Sequence, residues 1–378
     1  MILEAIKYIR LQGKSKEWAI EGQDGDLVHF GNINLIVGKN AAGKSRTLSI
    51  IRDIANLLTG SHKLSEAVYS NARYQLMFKE KKTIYEYSFG YDNKEIIEET
   101  LIVNGKTELD RKNKILFSDI SKKLEPHGFD SNQLSTSNGA TSLNSALAGL
   151  RDWGESLKNA AFTNQIEKNY HLDDLSKLER NISDLIKEPV LLLHTFWKGR
   201  QYFGDEFLNQ IRKHMTSLGY PIQMVDILEG PKGYSLYVKE EELDDVTSQL
   251  EMSQGMFRAL SFIILLNFAL MSNISVCVLV DDLGEGLDFD RSKILIDILV
   301  KNLNKSNLQI FITTNDRYIM NKVPLKYWSV LKRYPKKSVF YNYYNSKKIF
   351  DDFKYTGLSN FDFLATDFYL TGFGESDD

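Results

Sequence analysis

Two stretches of the sequence combine residue types that can handle a chain of phosphates. The first is Gly38-Lys39-Asn40-Ala41-Ala42-Gly43-Lys44-Ser45, which fits G-x-x-x-x-G-K-[ST] at every position. Glycines let a backbone wrap an anion closely with its N–H groups turned inward. A helix beginning at the end of such a loop adds its positive terminus. Lys44 would reach the β- and γ-phosphates, and the Ser45 hydroxyl would ligate Mg²⁺. Arg46, next in sequence, is a further candidate for contact with the nucleotide. The second stretch is Val278-Leu279-Val280-Asp281-Asp282, an apolar run that delivers two carboxylates at its end. In phosphoryl transfer one carboxylate at such a place holds Mg²⁺ and the next orients the attacking water. Asp281 is the metal candidate and Asp282 the catalytic one, with Lys44 as its cationic counterpart. Asp282 is one methylene shorter than the glutamate usual at that place. Because this chemistry depends on positioning, the shorter arm predicts slower turnover. Taken alone, the carboxylate pair reads better as a strand ending in a solvated acidic turn; the phosphate loop is what favours chemistry.

The elements around these residues are legible from periodicity. Ile33–Val37 is a short apolar run ended by Gly38, which predicts a buried strand. Leu48, Ile51, Ile54, Ala55 and Leu58 recur at helical spacing, and Gly60 is a stop signal. Tyr85, Tyr87 and Phe89 alternate with polar residues, and Asn104-Gly105 is a hairpin turn, so residues 73–117 read as an antiparallel β-insertion. Residues 130–145 are rich in Ser, Asn, Thr and Gly and read as a mobile loop. Residues 145–215 read as helical, including a helix from Asp173 or Asp174 through Leu175, Leu178, Ile182, Leu185 and Ile186 to a stop at Pro189. Residues 219–238 read as two strands joined by Gly-Pro-Lys-Gly. The second half then gives an apolar helix over Phe257–Met271, a strand over Val276–Val280, a helical stripe through Ile294–Leu303 and a buried strand over Leu308–Thr313. Val339–Leu370 reads as a hairpin plus a short helix. The division expected is residues 1–72 (core with the phosphate loop), 73–117 (β-insertion), 118–245 (mixed, mainly helical lobe) and 246–378 (the carboxylate strand and its surroundings).

Composition narrows the partners. With 47 Lys+Arg against 50 Asp+Glu the net charge is −3, which excludes a strongly basic whole-surface grip on nucleic acid but not a local patch. Lys79-Glu80-Lys81-Lys82 and Lys332-Arg333-Tyr334-Pro335-Lys336-Lys337 are such patches, so DNA remains a candidate partner. The single cysteine, Cys277, fits a reducing compartment. No signal-like segment opens the sequence, and the apolar run Ala259–Met271 is too short to span a bilayer. A cytoplasmic protein without a membrane partner is expected.

Further motifs give these residues a family. Met252-Ser253-Gln254-Gly255-Met256 resembles a degenerate ABC signature, L-S-G-G-Q, ahead of an apolar helix. Ser253 stands 28 residues before Asp281, room for one helix and one strand. Asp281-Asp282-Leu283-Gly284-Glu285-Gly286-Leu287-Asp288 resembles D-E-P-x-x-x-L-D, whose closing Leu-Asp is the D-loop. Ile312-Thr313-Thr314-Asn315-Asp316 resembles the strand-end switch, usually T-H-D. In this order the motifs resemble ABC-type ATPases of the SMC/RecF/overcoming-lysogenization-defect kind, and the tail resembles small bacterial phage-defence AAA-family ATPases. The resemblance implies an α/β P-loop ATPase head with a mainly parallel core sheet, an antiparallel β-insertion and a helical signature lobe. It implies ATP and Mg²⁺ as ligands and a homodimer, or higher oligomer, with composite sites. Ser253 and Gly255 would then complete the site of a second subunit, Asp288 would cross between subunits, and Asn315 would contact the γ-phosphate as a neutral substitute for histidine. The family's Q-loop glutamine is left between Gln75 and Gln133. Sixty-three residues follow Asn315, too few for an appended nuclease domain, so a separate effector, a nuclease or toxin in anti-phage defence, is expected. Two other readings stay open: a RecF-like DNA-binding repair ATPase, and an ATP-binding scaffold or sensor with little turnover.

Overall fold

A computed structural model describes residues 1–117, 130–137, 139–142, 144–161, 168–179, 191–272, 275–303 and 308–374. The chain opens with β1 (Ile2–Arg10), β2 (Trp18–Gly22), β3 (Val28–His29), β4 (Ile33–Val37) and α1 (Lys44–Thr59). Next come β5 (Asn71–Glu80), β6 (Thr83–Asp92), β7 (Glu95–Val103), β8 (Lys106–Asp110), β9 (Ile115–Leu116), α2 (Ser145–Ser156) and β10 (Leu157–Ala161). The middle holds α3 (Leu191–Ser217), β11 (Ile222–Gly230), β12 (Gly233–Glu240), β13 (Thr247–Ser248), α4 (Gln254–Ser272), β14 (Val276–Asp281) and α5 (Phe289–Leu303). The chain closes with β15 (Leu308–Thr313), α6 (Arg317–Lys322), β16 (Trp328–Tyr334), β17 (Lys337–Asn342), α7 (Lys347–Asp352), α8 (Asn360–Ala365) and α9 (Phe368–Thr371). Two compact units result: residues 1–158, 309–313 and 324–378 form the first, and residues 159–308 and 314–323 the second.

The first unit is built on a sheet whose order runs β15-β4-β16-β17-β2-β1-β5-β6-β7-β8-β9, with β3 on β1. Its core is parallel: β4 runs parallel to both β15 and β16, and β17 to β2. From β1 outward to β9 every pairing is antiparallel, as the alternation in this region predicts. All five residues of β4 are buried, the pattern of a parallel strand covered on both faces. On α1 the predicted stripe Leu48, Ile51, Ile54, Ala55 and Leu58 is buried. Gly60 ends the helix at φ +73, a left-handed cap whose N–H bonds to the Leu57 carbonyl. The β7–β8 turn puts Asn104 and Gly105 at φ +47 and +79, which the Asn-Gly pair tolerates best.

Residues 130–137 differ from the mobile loop their composition suggests. Leu134, Ser135 and Thr136 are buried, because Glu99 on β7 is fully buried and needs donors. Ser135 gives it two, through its N–H (2.8 Å) and its hydroxyl (2.9 Å). Tyr87 adds its phenol at 2.6 Å and Arg111 its guanidinium at 3.2 Å. Arg111 also donates to the carbonyls of Asp130 and Gln133, so one cation fixes both the carboxylate and the segment over it. Removing one partner of a buried pair leaves a buried charge uncompensated, so Arg111→Ala is expected to cost about 3–5 kcal/mol of stability. Burial holds the Glu99 carboxyl above its ordinary range against the lowering by Tyr87, Arg111 and Ser135. The folded state therefore binds that proton more tightly than the unfolded chain. Stability should fall as pH rises from the ordinary glutamate range, and more steeply in Arg111→Ala. Denaturant titrations of both proteins between about pH 5 and 8 check this.

The C-terminal hairpin lies earlier than expected, with β16 and β17 pairing across Pro335-Lys336. Residues 347–371 are instead three short helices around Phe350, Phe353, Phe363 and Phe368.

The helical reading of residues 145–215 holds only in part, since β10 (Leu157–Ala161) falls within it. Leu175–Glu179 forms only a short 3₁₀ turn, Ile182 to Pro189 lie outside the described residues, and α3 is broken at Gly204 (φ +55). The two strands expected within 219–238 form β11 and β12, paired from Ile222 with Glu240 to Gly230 with Gly233. Helix α4 has 19 residues and is apolar enough to cross a membrane, longer than the run Ala259–Met271 suggests. Its environment is a protein core: Gly255–Leu260, Phe262–Asn267 and Ala269 are buried. Cys277 on β14 is buried as well, which pushes its thiol pKa up and keeps it protonated.

Candidate functional site

In the first unit the loop Gly38–Ser45 joins the end of β4 to the start of α1. Its conformation is enforced by packing. A Cβ on Gly38 would lie 2.5 Å from the Leu331 carbonyl oxygen of β16, so no other residue fits without moving that strand. Ala41 and Gly43 turn the chain through the left-handed region, at φ +60 and +111. The Ala42 N–H donates to the Lys39 carbonyl (3.1 Å), and the Ser338 hydroxyl donates to the Ala42 carbonyl (2.9 Å). Lys44 is buried, and its Nζ donates to the Gly38 carbonyl at 2.9 Å, folding the cation back across the loop. Ser45 and Arg46 are exposed at the helix start. The Arg46 guanidinium lies 4.7 Å from the centroid of the Trp18 ring. Lys39 points away from the loop to Asp367, the residue before α9, at 2.8 Å. Lys39 is the main cause holding the Asp367 carboxyl below its usual range. The loop joins a helix N-terminus to one sequestered lysine, which suits a polyphosphate anion.

The second unit holds the carboxylates, the signature residues and the switch. Asp281 ends β14, and Asp282 follows in the left-handed region at φ +51, uncommon for a non-glycine residue. Gly284 and Gly286 continue the turn at φ +96 and +80. Asn315 meets this turn: its Nδ2 donates to the Asp282 Oδ1 at 3.1 Å. Thr314 donates its hydroxyl to the Leu283 carbonyl (2.9 Å), and Asp316 caps α6 through the N–H groups of Tyr318 and Ile319.

Ser253 caps α4, its hydroxyl accepting from the Met256 N–H at 3.2 Å. Gly255 faces the turn after β14, where a Cβ would lie 2.4 Å from the Gly286 carbonyl oxygen. Arg258, buried one helical turn on, donates to the Glu285 carbonyl at 2.6 Å. Asp288 caps α5 through the Arg291 N–H (2.9 Å) and pairs with the Arg291 guanidinium. The N–H, with the guanidinium, holds its carboxyl below the usual range. The Arg291 guanidinium lies 4.3 Å from the centroid of the Tyr220 ring, and the Tyr220 hydroxyl is 3.3 Å from where a Gly255 Cβ would be. Ser253, Gly255, Asp282, Asn315 and Asp288 are thus brought around one turn. Tyr220, Arg258 and Arg291, which position them, are not marked in the sequence by any motif. Of the two glutamines considered, Gln75 lies on β5, and the Gln133 carbonyl is bound by Arg111.

A parallel-cored α/β sheet with a phosphate loop after one strand, and a strand-end carboxylate pair beside a capped apolar helix, give the chain the fold of a P-loop ATPase head. The chain belongs to the family described as "AAA domain, putative AbiEii toxin, Type IV TA system", whose model matches residues 33–321. Among solved structures it is similar in fold to an Smc head bound to the C-terminal winged-helix domain of ScpA, with a TM-score of 0.54 and 14% identity over 90% of this chain and 97% of that one. It is also similar to an Smc head domain with an extended coiled coil, bound to the C-terminal domain of ScpA from Pyrococcus furiosus. That match has a TM-score of 0.51 and 13% identity over 93% of this chain and 99% of that one. No curated protein sequence matches the chain.

Proposed function

We propose that this protein hydrolyses ATP and works as a nucleotide-gated switch in which two or more copies share composite sites. The observation that carries the reading is the phosphate loop, with Lys44 sequestered against Gly38 at the start of α1. Lys44 and the loop N–H groups bind the phosphates, with Arg46 beside them. Ser45 and Asp281 are hard oxygen donors of the kind Mg²⁺ takes, and the ion would neutralise charge on the β- and γ-phosphates when bound. Asp282 orients the attacking water, and Asn315 steadies Asp282 through its amide. Ser253 and Gly255, with Asp288, serve the nucleotide held by a second copy. The family description names a toxin–antitoxin system; we propose, beyond it, a cytoplasmic switch that controls a separate toxin or nuclease against phage.

Solution mass tests the assembly. Asp282→Asn protein with saturating ATP and Mg²⁺ should show at least twice the single-chain mass of 43.4 kDa, and Lys44→Ala should not. A single-chain mass at saturating ATP would refute shared sites. A second reading, an ATP-binding sensor with little turnover, is favoured by the neutral Asn315–Asp282 contact. Steady-state phosphate release no faster than that of Lys44→Ala would select it.

A further inference from the structure

In the first unit the phosphate loop is tied to the C-terminal helices. The Lys39 Nζ donates to the Asp367 Oδ2 at 2.8 Å, across 328 positions of sequence. Asp367 sits in the left-handed region at φ +56, immediately before α9, a conformation that Asp and Asn accept more readily than most residues. Its other oxygen, Oδ1, accepts from the Tyr369 hydroxyl at 3.1 Å. The Tyr369 ring is buried, its centroid 5.3 Å from that of Tyr341 on β17 and 6.2 Å from that of Phe363 on α8. The same hairpin carries the loop: Gly38 abuts the Leu331 carbonyl of β16, and the Ser338 hydroxyl of β17 donates to the Ala42 carbonyl. Loop and carboxylate therefore stand on one support, and packing rather than the pair itself sets their separation. The pair is open to solvent, with Lys39 67% and Asp367 39% exposed, so it contributes little to stability. Lys39, helped by Tyr369 and the Lys332 charge, holds the carboxyl below its usual range, so Asp367 is an anion at neutral pH.

We infer, resting on the nucleotide site proposed above, that Asp367 and the phosphates of a bound nucleotide compete for Lys39: the carboxylate holds the cation until a phosphate oxygen takes it over. Asp367 is then a regulating residue of the loop, and it sets the nucleotide concentration at which the loop fills. Two electrostatic effects act with the same sign. The ionised carboxylate repels a triphosphate, and its hold on Lys39 turns a second loop cation away from the phosphates. Neutralising Asp367 removes both effects, so nucleotide should bind more tightly. Removing the Lys39 charge does the opposite, because it leaves the Asp367 carboxylate uncompensated beside the phosphates. A pair that merely braced the loop would respond alike to the loss of either partner, since each loss breaks the same bond. The sign of the two effects therefore separates competition from bracing.

The test is equilibrium binding to the full chain of a fluorescent, non-hydrolysable ATP analogue and of fluorescent ADP, at about 50 and about 500 mM salt. The variants are Asp367→Asn and Lys39→Met. Asparagine tolerates the left-handed conformation and keeps an oxygen for the Tyr369 hydroxyl, and methionine keeps the apolar stem of lysine, so each removes a charge and little else. Asp367→Asn should bind the ATP analogue about three- to fivefold more tightly than the parent, and Lys39→Met about three- to fivefold more weakly, the scale of an exposed ion pair. Both shifts should be smaller for ADP, which carries less charge, and should shrink at the higher salt. Neither variant should change the melting temperature. With a parent that binds the ATP analogue, shifts in the same direction for both variants, or no shift in either, would overturn the inference and leave the nucleotide site standing. A parent that binds neither nucleotide would refute the nucleotide site itself, and the competition with it.

Discussion

Lys44→Ala is expected to reduce phosphate release to the level of buffer, a loss of about 10²–10³-fold or more. The argument starts from where the side chain sits. Lys44 is 8% exposed, held to the Gly38 carbonyl at 2.9 Å within a loop whose shape is fixed by Gly38 against Leu331. A preorganised cation in a screened site needs no reorganisation to meet charge developing on a phosphoryl group, which is why such groups are worth several kcal/mol of barrier. Alanine at this position removes the cation without harming the helix, since Ala is the best helix former and Lys44 is the first residue of α1. Melting temperature should therefore hold while nucleotide affinity, read by a fluorescent ATP analogue, also falls. Turnover within threefold of the parent would show that hydrolysis does not pass through this loop.

What the sequence made legible was local. The strand, loop and helix around residues 33–60 are set by an apolar run, closely spaced glycines and a helical stripe, all within one short window, and they fold as those signals say. The β-insertion follows for the same reason, from alternation and Asn104-Gly105. What stayed hidden depends on partners far apart in sequence. Glu99 looks like any charged residue of a strand until Arg111 and Ser135 close over it, and only then does a Ser/Asn-rich segment become core. Tyr220, Arg258 and Arg291 belong to different elements, and no spacing rule connects them. A cleft of the first unit lined by five cations is hidden similarly: Arg333 and Lys336 stand out as a charge cluster, but Arg10, Lys16 and Arg46 join them only through the convergence of two turns and a helix start. Residues 347–371 were aromatic enough to suggest strand, yet Phe350 and Phe353 are spaced for one face of a helix, and tertiary packing of the rings decided the matter.

Asp282→Asn is expected to lower turnover by about 10²–10⁴-fold while leaving fold and nucleotide affinity in place. The choice of asparagine follows from the backbone. Asp282 sits at φ +51, where Asp and Asn are tolerated but a residue such as alanine pays about 1–2 kcal/mol. An alanine variant would disturb the turn that carries Gly284, Gly286 and Asp288, and a loss of rate could then be blamed on the turn. Asparagine keeps the conformation and keeps an oxygen to accept from the Asn315 Nδ2, now at 3.1 Å from the Asp282 carboxylate. What it removes is the negative charge and the ability to take a proton from water. On the proposed reading the left-handed turn aims the shorter carboxylate at the water, and Asn315 holds it by a hydrogen bond from its uncharged amide. Lengthening the arm in Asp282→Glu should not raise the rate, because glutamate tolerates φ +51 less well and loses the Asn315 contact. If Asp282→Asn turns over within threefold of the parent, the attacking water is oriented by another group; if Asp282→Glu is the faster enzyme, the turn is a constraint that the longer side chain overcomes.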